Sequence, residues 1–281
     1  MADKVHVIAY YGAKSNLRSI LLPVLNNDTS TTFVSLFTGG GILESQKKPH
    51  KVEVWNDTLH GITNFYWTFQ APELKTVLMR KINATCYSEI HYRNSKHIYN
   101  KFKKSPPTKN KDKIDFAWAT WCQCNMTFSA KINGGFAFSN KRCSPDAFFK
   151  RKLALNEFTE RIKKITIMNR DATEVYKLFN KPDTLFYADP PYIGSDCGHY
   201  KGYTEADFVN LLTGFINCKG RFILSSYPSD ILKKFSSENN WRTMKIDQPI
   251  SAGHKDTRTI HLKTEIITTN FETDGTISLF Q

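Results

Sequence analysis

The run Asp189-Pro190-Pro191-Tyr192 combines the residue types in this sequence that are best suited to chemistry. It follows an apolar segment, residues 184–188, that predicts a buried strand. Two successive prolines cannot continue a strand and carry no amide hydrogen, so they form a rigid turn whose carbonyls are free to accept hydrogen bonds. With an acidic side chain before the prolines and an aromatic ring after them, the run predicts a polar pocket at the end of a strand.

Such a pocket suits an exocyclic amine on a nucleobase. The lone pair of that amine is delocalised into the ring, which makes the nitrogen a poor nucleophile. Two acceptors aimed at its N–H groups, the carboxylate of Asp189 and the carbonyl of Pro190, would localise the lone pair on the nitrogen. Tyr192 would stack on the base after the base leaves the duplex. We therefore predict that Asp189, Pro190, Pro191 and Tyr192 are the catalytic residues.

A second candidate site is the glycine loop, residues 38–41, which follows Phe37 at the end of a predicted strand. Glycines at this place allow a cofactor to approach the backbone closely. Asp57 lies 16 residues after Gly41, at the end of the next predicted strand, where an acidic residue commonly binds ribose hydroxyls. The loop has neither the G-x-G-x-x-G pattern nor a following GK[ST], which disfavours nicotinamide and ATP.

The elements that must position these residues alternate along the chain. Apolar and β-branched runs predict strands at 31–37, 51–55, 165–168, 184–188 and 221–226, with late strands at 243–246 and 264–269. Helical periodicity appears at 15–25, with Ser15 as the N-cap, and at 59–69, 147–164 and 205–216. This alternation predicts an α/β fold with a mostly parallel sheet, in which ligands bind at the carboxyl ends of the strands. The strand end Ser225-Ser226-Tyr227 fits either a wall of the target pocket or the core.

Residues 72–152 show poor periodicity and contain a basic stretch at 105–113, which predicts an exposed loop. Aromatic residues cluster nearby, and Gly134-Gly135 predicts a turn. We therefore predict an irregular, inserted recognition domain at 72–152, with a core formed by residues 1–71 and 153–281.

Positive charge is concentrated in this middle third of the chain. The net charge is +13, and residues 74–170 hold 21 lysines and arginines against six acidic residues, whereas the remainder holds 18 against 20. This imbalance favours a polyanionic partner, with nucleic acid as the first choice. The residues predicted to contact DNA are Lys103, Lys104, Lys131, Lys141, Arg142, Tyr203 and Arg258.

The sequence has neither a recognisable signal peptide nor an apolar run of transmembrane length, so we expect no membrane partner. Its six cysteines are expected to be reduced thiols in the cytoplasm. Cys122-Gln-Cys124 is too tight for the usual zinc pair, and no second pair follows at finger spacing. We therefore predict no metal site.

Taken together, these motifs resemble the Dam-like family of adenine-specific DNA methyltransferases over nearly the whole chain. Tyr11-Gly12-Ala13-Lys14 is similar to the family's N-terminal motif X, residues 37–41 to the cofactor loop, Asn56-Asp57 to the ribose-binding pair, and Arg170-Asp171 to the motif whose acid contacts the cofactor's adenine. The acid-proline turn, residues 189–192, matches the catalytic motif. The order of the motifs and the position of the basic block also resemble the family.

The resemblance implies a Rossmann-like core that uses S-adenosylmethionine, a target-recognition domain, double-stranded DNA as partner, and a monomer. It implies cofactor binding by Tyr11, Gly12, Lys14, Phe37, Thr38, Gly39, Gly41, Asp57 and Asp171, and a loop near Tyr203 that closes over the flipped base. Ser35-Leu36 replaces the usual Glu-Pro before Phe37, and Ala13 replaces the second motif X glycine. From these departures we expect weaker cofactor binding.

The predicted reaction is direct methyl transfer to the N6 amine of a flipped adenine, without a covalent intermediate on the protein. One alternative is methylation of RNA adenine or of cytosine N4; related enzymes with those substrates tend to carry Asn or Ser where this chain has Asp189. Another is a catalytically silent DNA-binding protein of the same fold, which the joint presence of Lys14, Asp57, Asp171 and the catalytic motif disfavours. Pairing with a restriction enzyme stays open.

Overall fold

The computed structural model describes residues 6–14, 17–138, 143–192, 202–249 and 262–273. Its strands are β1 (Thr32–Ser35), β2 (Val52–Asn56), β3 (Ile165–Met168), β4 (Thr184–Ala188), β5 (Arg221–Ser226), β6 (Arg242–Pro249) and β7 (Leu262–Thr269). Its helices are α1 (Arg18–Asn27), α2 (Ile42–Gln46), α3 (His60–Gln70), α4 (Pro72–Asn83), α5 (Glu89–Phe102), α6 (Asn110–Met126), α7 (Pro145–Ile162), α8 (Ala172–Phe179), α9 (Glu205–Ile216) and α10 (Asp230–Glu238).

The strand order is β3-β2-β1-β4-β5-β7-β6. The pairs β2–β3, β1–β4 and β4–β5 are parallel, whereas β7 runs antiparallel to both β5 and β6. The predicted mostly parallel α/β sheet is therefore confirmed, and the late strands form its antiparallel part. Every residue of β4 is buried, and Tyr187 pairs with Ser35 on one side and Ile223 on the other. A strand covered on both faces accounts for its unbroken apolar sequence.

Contacts within the chain define two compact units. The first comprises residues 1–15 and 38–171, and therefore contains β2, β3 and helices α2 to α7. The second comprises residues 16–37 and 172–281, and contains the other five strands with α1 and helices α8 to α10. In the second unit, Phe215 of α9 stacks on Phe222 of β5 at 4.3 Å between ring centroids, so part of the high aromatic content serves the core.

Residues 72–152 are largely helical, and the expectation of an irregular segment is wrong. The reason lies in α6, where every residue from Phe116 to Met126 is buried. Because this helix packs against α3, α4 and α5, it has no polar face and its sequence lacks helical periodicity. The exposed loop predicted at residues 105–113 also differs from the structure. Helix α6 begins at Asn110, and only residues 103–109 between α5 and α6 lack helical structure.

The segment 72–152 also anchors the N-terminal residues of the first unit. The indole Nε1 of Trp121 donates to the carbonyl of Val7 at 2.9 Å, and the side-chain oxygen of Asn125 accepts from the amide of Ala9 at 3.0 Å. A role in target recognition and the boundaries of a separate domain at 72–152 stay predictions.

Helix α1 begins at Arg18, and Leu17 occupies its N-cap without a side-chain bond to the helix. The N-cap prediction is therefore wrong; Ser15 lies outside the described residues. Among the described residues, no helix is long and apolar enough to cross a membrane.

Candidate functional site

The glycine loop turns between β1 and α2 through two left-handed residues, Gly39 (φ +50°) and Gly41 (φ +60°). The turn is closed by the amide of Gly41, which donates to the carbonyl of Thr38 at 2.9 Å. A Cβ atom on Gly39 would lie 2.7 Å from the ring of Tyr10, and one on Gly41 would lie 2.9 Å from the hydroxyl of Tyr66. Both the backbone conformation and the tight packing therefore require glycine.

Asp57 fixes this loop from the end of β2. Its Oδ2 accepts from the amide of Gly39 and its Oδ1 from the amide of Leu59, both at 2.8 Å. The residue is 2% exposed, and burial raises the pKa of its carboxyl to about 6 although the backbone hydrogen bonds lower it. Binding of ribose hydroxyls by Asp57 stays a prediction; holding the glycine loop is a role that sequence reasoning missed.

Tyr66 of α3 is a second residue that sequence reasoning missed. Its hydroxyl donates to the carbonyl of Gly39 at 2.8 Å, and the side chain is buried. Nothing in the spacing of an aromatic residue within a helix predicts this bond.

Thr38 carries a polar atom that suits a ligand. The residue is 6% exposed, and its Oγ1 has no hydrogen-bond partner among the described residues. A buried hydroxyl without a partner is costly, so a group that bonds to it would be stabilising. Together with the left-handed glycines, Thr38 makes the loop fit a polar cofactor that packs close to the backbone, as predicted for S-adenosylmethionine.

The N-terminal motif lies in the same unit. Lys14 is 5% exposed, and its ammonium group donates to the carbonyl of Gly12 at 3.0 Å. Gly12 has a left-handed φ of +79°, with open space where a Cβ would stand. Tyr11 is half-buried, and the ammonium of Lys131 lies 6.0 Å from the centroid of its ring. The cofactor roles of Tyr11, Gly12 and Lys14 stay predictions.

Asp171 is exposed and directly precedes α8. The residue before it, Arg170, is bonded through its backbone to the side chain of Asn56 at the end of β2. The two parts of the first unit that the resemblance linked to the cofactor, residues 56–57 and 170–171, are thus held together.

The acid-proline turn belongs to the second unit and follows β4 directly. Pro190 and Pro191 are buried, whereas Asp189 and Tyr192 are half-buried. Burial, followed by the negative charge of Asp189, raises the pKa of Tyr192 well above its ordinary value. The ring of Tyr192 lies 4.2 Å from that of Tyr227, centroid to centroid.

A small pocket adjoins this turn, lined by Pro190, Pro191, Tyr192, Phe208, Ser226, Tyr227, Pro228 and Ser229. Of the two locations considered for Ser226 and Tyr227, the structure therefore favours the pocket wall. The side-chain oxygens of Ser225 and Ser226 are buried and have no partner among the described residues. Phe37, which precedes the glycine loop, packs edge-on against Tyr203 with 5.9 Å between ring centroids.

The residues predicted to bind DNA differ in placement. Lys103 and Lys104 are exposed just after α5, and Lys131 is half-buried. Tyr203 is half-buried beside Phe37. Lys141, Arg142 and Arg258 lie outside the described residues. Contact with DNA stays a prediction for all of them.

Part of the basic excess in residues 74–170 is used inside the protein. Arg161 pairs with Glu53, and Lys81 pairs with Asp115. The ammonium of Lys152 is buried and donates to the carbonyl of Asn83 at 3.2 Å, and burial lowers its pKa. The net charge of this region therefore overstates the charge that it offers to a polyanion. In the part of the chain that the structure describes, no three His, Cys, Asp or Glu side chains are grouped so as to hold a metal ion.

One family of known proteins matches most of the chain. Residues 10–248 match the model of the D12 class N6 adenine-specific DNA methyltransferases. No curated protein shows significant similarity to the chain.

Three solved structures are similar in fold. One is a Pyrococcus horikoshii protein provisionally assigned as an RNA methyltransferase, with 12% identity over 94% of this chain and 86% of that chain and a TM-score of 0.40. The second is a precorrin-6y C5,15-methyltransferase from Geobacter metallireducens, with 10% identity, coverage of 94% and 96%, and a TM-score of 0.38. The third is a precorrin-8W decarboxylase from Methanobacterium thermoautotrophicum, with 9% identity, coverage of 91% and 89%, and a TM-score of 0.39.

Because the family model spans most of the length of this chain, the chain belongs to the D12 class N6 adenine-specific DNA methyltransferase family.

Proposed function

We propose that this protein transfers the methyl group of S-adenosylmethionine to the N6 amine of an adenine flipped out of double-stranded DNA, with the acid-proline turn as the catalytic element. The observation that supports the proposal is the position of the turn: Asp189 directly follows a fully buried strand, and Pro190 and the next two residues line a small pocket. That position is where open α/β sheets bind their ligands.

In this mechanism, Asp189 and the carbonyl of Pro190 accept hydrogen bonds from the two N–H groups of adenine N6. These bonds localise the lone pair of the nitrogen and orient it for attack. Transfer of the methyl group would break its bond to the sulfonium sulfur and leave S-adenosylhomocysteine. The methylated nitrogen would be cationic and would lose a proton, for which Asp189 is the basic group on the turn. Tyr192 and Tyr227 provide aromatic surface for the extruded base.

The residues proposed to hold the cofactor are those of the first unit's motifs, Lys14, Thr38, Gly39, Gly41, Asp57 and Asp171, with Tyr11 and Gly12 beside them and Phe37 before the loop. When bound, S-adenosylmethionine supplies an electrophilic methyl group on a sulfonium. The chain's own contribution is a preformed loop: Asp57 holds it in place, its glycines admit a close approach, and the hydroxyl of Thr38 is available.

We further propose that the chain has the Dam-like order of motifs, with target recognition by residues 72–152 and with Lys103 and Lys104 at phosphates. Exposed lysines next to packed helices fit contacts that position the duplex without reading its sequence. We also propose that the protein is located in the cytoplasm and acts as a monomer.

The test is to incubate duplex DNA with the protein and S-adenosylmethionine and to map modified bases by modification-sensitive sequencing. The expected result is N6-methyladenine at one short recurring site, which Asp189→Ala abolishes. A matched control is Glu238→Ala, because Glu238 is an exposed carboxylate at the end of α10 and is not part of the pocket lining. Methylation of structured RNA alone would contradict DNA as the substrate, and no methylation of either would favour the silent DNA-binding protein.

A further inference from the structure

Both polar backbone groups of Gly39 are held by side chains. Its amide donates to Oδ2 of Asp57 and its carbonyl accepts from the hydroxyl of Tyr66, each at 2.8 Å. The amide and the carbonyl belong to the two peptide planes on either side of the Gly39 Cα atom. Fixing both planes fixes φ and ψ at this residue, because those are the only soft backbone dihedrals between them.

Gly39 needs such support because glycine can readily adopt backbone conformations other than the one with a φ of +50°. Glycine populates positive and negative φ about equally and loses more conformational freedom on folding than any other residue. A loop that samples other conformations binds a ligand with lower affinity, since the binding-competent fraction scales the apparent affinity. Whatever holds Gly39 in place therefore contributes to cofactor affinity without touching the cofactor.

We propose that Tyr66 is a positioning residue for the cofactor: its hydroxyl bond to Gly39 sets the glycine loop in the conformation that binds S-adenosylmethionine. This proposal rests on the proposed role of the glycine loop. It does not depend on which nucleic acid accepts the methyl group.

The surroundings of Tyr66 suit this role. Its ring packs edge-on against Trp55 at 5.4 Å and against Phe65 at 5.7 Å between centroids, and the residue is 1% exposed. The aromatic contacts place the hydroxyl independently of the bond that it makes. Burial, reinforced by the charges of Glu44 and Asp57, raises the pKa of Tyr66 well above its ordinary value, so the hydroxyl remains a donor at any working pH.

Tyr66 also packs against Gly41, the other left-handed glycine of the loop. A Cβ atom on Gly41 would lie 2.9 Å from the Tyr66 hydroxyl and 3.3 Å from the ring of Trp55. One side chain thus holds the carbonyl of Gly39 and occupies the space beside Gly41. The hydroxyl of Thr38, the first residue of the loop, is left without a partner among the described residues.

The test is the Tyr66→Phe variant, which removes the hydroxyl and keeps the ring. The chain offers a matched control in Tyr176, whose hydroxyl donates to the carbonyl of another glycine, Gly214, also at 2.8 Å, in the second unit. Tyr176→Phe removes the same kind of bond from a glycine outside the loop. Affinity for S-adenosylhomocysteine is measured by calorimetry in the absence of DNA, and Tm by thermal unfolding.

We expect Tyr66→Phe to weaken binding of S-adenosylhomocysteine about tenfold, the effect of leaving one buried carbonyl unpaired. The rate of methyl transfer at saturating cofactor should be unchanged, so the loss appears in KM and not in kcat. Tyr176→Phe should lower Tm by less, because the Gly214 carbonyl still accepts from the amide of Asn217 at 3.2 Å, and it should leave the affinity unchanged. The proposal is overturned if Tyr66→Phe binds as the parent protein does, or if Tyr176→Phe weakens binding equally.

This result is separable from the fate of the proposed function. If the parent protein binds S-adenosylhomocysteine but methylates no DNA, the proposal that DNA adenine is the substrate is wrong. The affinities of the parent protein and of Tyr66→Phe for S-adenosylhomocysteine still test the role of Tyr66. If the parent protein does not bind S-adenosylhomocysteine, both proposals fail.

Discussion

The side-chain amide of Asn56 is bonded to the backbone of Arg170 in both directions. Its Nδ2 donates to the Arg170 carbonyl and its Oδ1 accepts from the Arg170 amide, each at 3.0 Å. Asn56 is fully buried at the end of β2, so this pair joins the turn before Asp171 to the strand that leads to Asp57. Asn56 is therefore one tie between the regions of the two acids predicted at the cofactor, and Asn169, whose side chain donates to the carbonyl of Asp57 at 2.6 Å, is another.

The first prediction concerns this asparagine. Asn56→Ala should lower the free energy of unfolding by about 1–3 kcal/mol, because the two hydrogen bonds made by this buried side chain are lost. Urea denaturation measures the change. Asn64→Ala is the control, since the half-buried Asn64 donates one bond, to the carbonyl of Lys113 at 2.9 Å. A loss at Asn56 no larger than at Asn64 would contradict this account.

The second prediction is a pH dependence set by Asp57. Burial raises its pKa from 3.8 to about 6, so between these values the folded protein binds more protons than the unfolded chain. The contribution of Asp57 to stability therefore falls as pH rises from 4 to 6 and is constant above that, a change on the order of 2–3 kcal/mol.

Comparison with Asp57→Asn isolates this contribution from other titrating groups. Urea denaturation of both proteins between pH 4 and 7 should show the parent protein losing stability relative to the variant as the pH rises. A difference that does not vary with pH would show that Asp57 titrates normally.

The third prediction concerns Gly41. Gly41→Ala should cost more than about 1 kcal/mol of stability, because alanine is strained at positive φ and its Cβ meets the Tyr66 hydroxyl. It should also weaken binding of S-adenosylhomocysteine, measured by calorimetry. Gly135→Ala is the control, since Gly135 is exposed and has open space around its Cβ position. Equal effects of the two substitutions would remove the argument for a shaped loop.

The fourth prediction concerns Ser226 in the pocket beside the acid-proline turn. Ser226→Ala removes a buried hydroxyl that has no partner among the described residues, so stability should be maintained or improved. If this hydroxyl contacts the target base, KM for DNA should rise. Ser236→Ala is the control, because Ser236 of α10 has the same kind of unpartnered buried hydroxyl and is not in the pocket lining. An unchanged KM in Ser226→Ala would exclude the contact.

The place of the acid-proline turn at the end of a strand was predictable from sequence because its signals are local. An apolar run followed by two prolines specifies a buried strand and its end, and β4 has the predicted limits. The strands β3 and β5 and the helix α9 follow from equally local patterns.

The rest of the fold depends on contacts between distant residues. The sequence of α6 shows no helical periodicity of apolar residues because other helices surround this helix. No pattern therefore distinguishes it from an irregular apolar segment. The bonds of Tyr66 and Asp57 to Gly39 join residues 27 and 18 positions apart, and residue type alone does not specify them. The internal partners of three basic side chains are likewise distant in sequence, so only the structure identifies them; these side chains are Lys81, Lys152 and Arg161.

The most direct test of the central claim is the methyl transfer of Asp189→Asn under single-turnover conditions on duplex DNA, with products identified by mass spectrometry of nucleosides. Asparagine keeps the size of the side chain but presents one acceptor and no negative charge. The account predicts N6-methyladenine from the parent protein, a rate at least about 100-fold lower in the variant, and unchanged affinity for S-adenosylhomocysteine. A variant that methylates adenine at the parent rate, or a parent protein whose product is N4-methylcytosine, would contradict it.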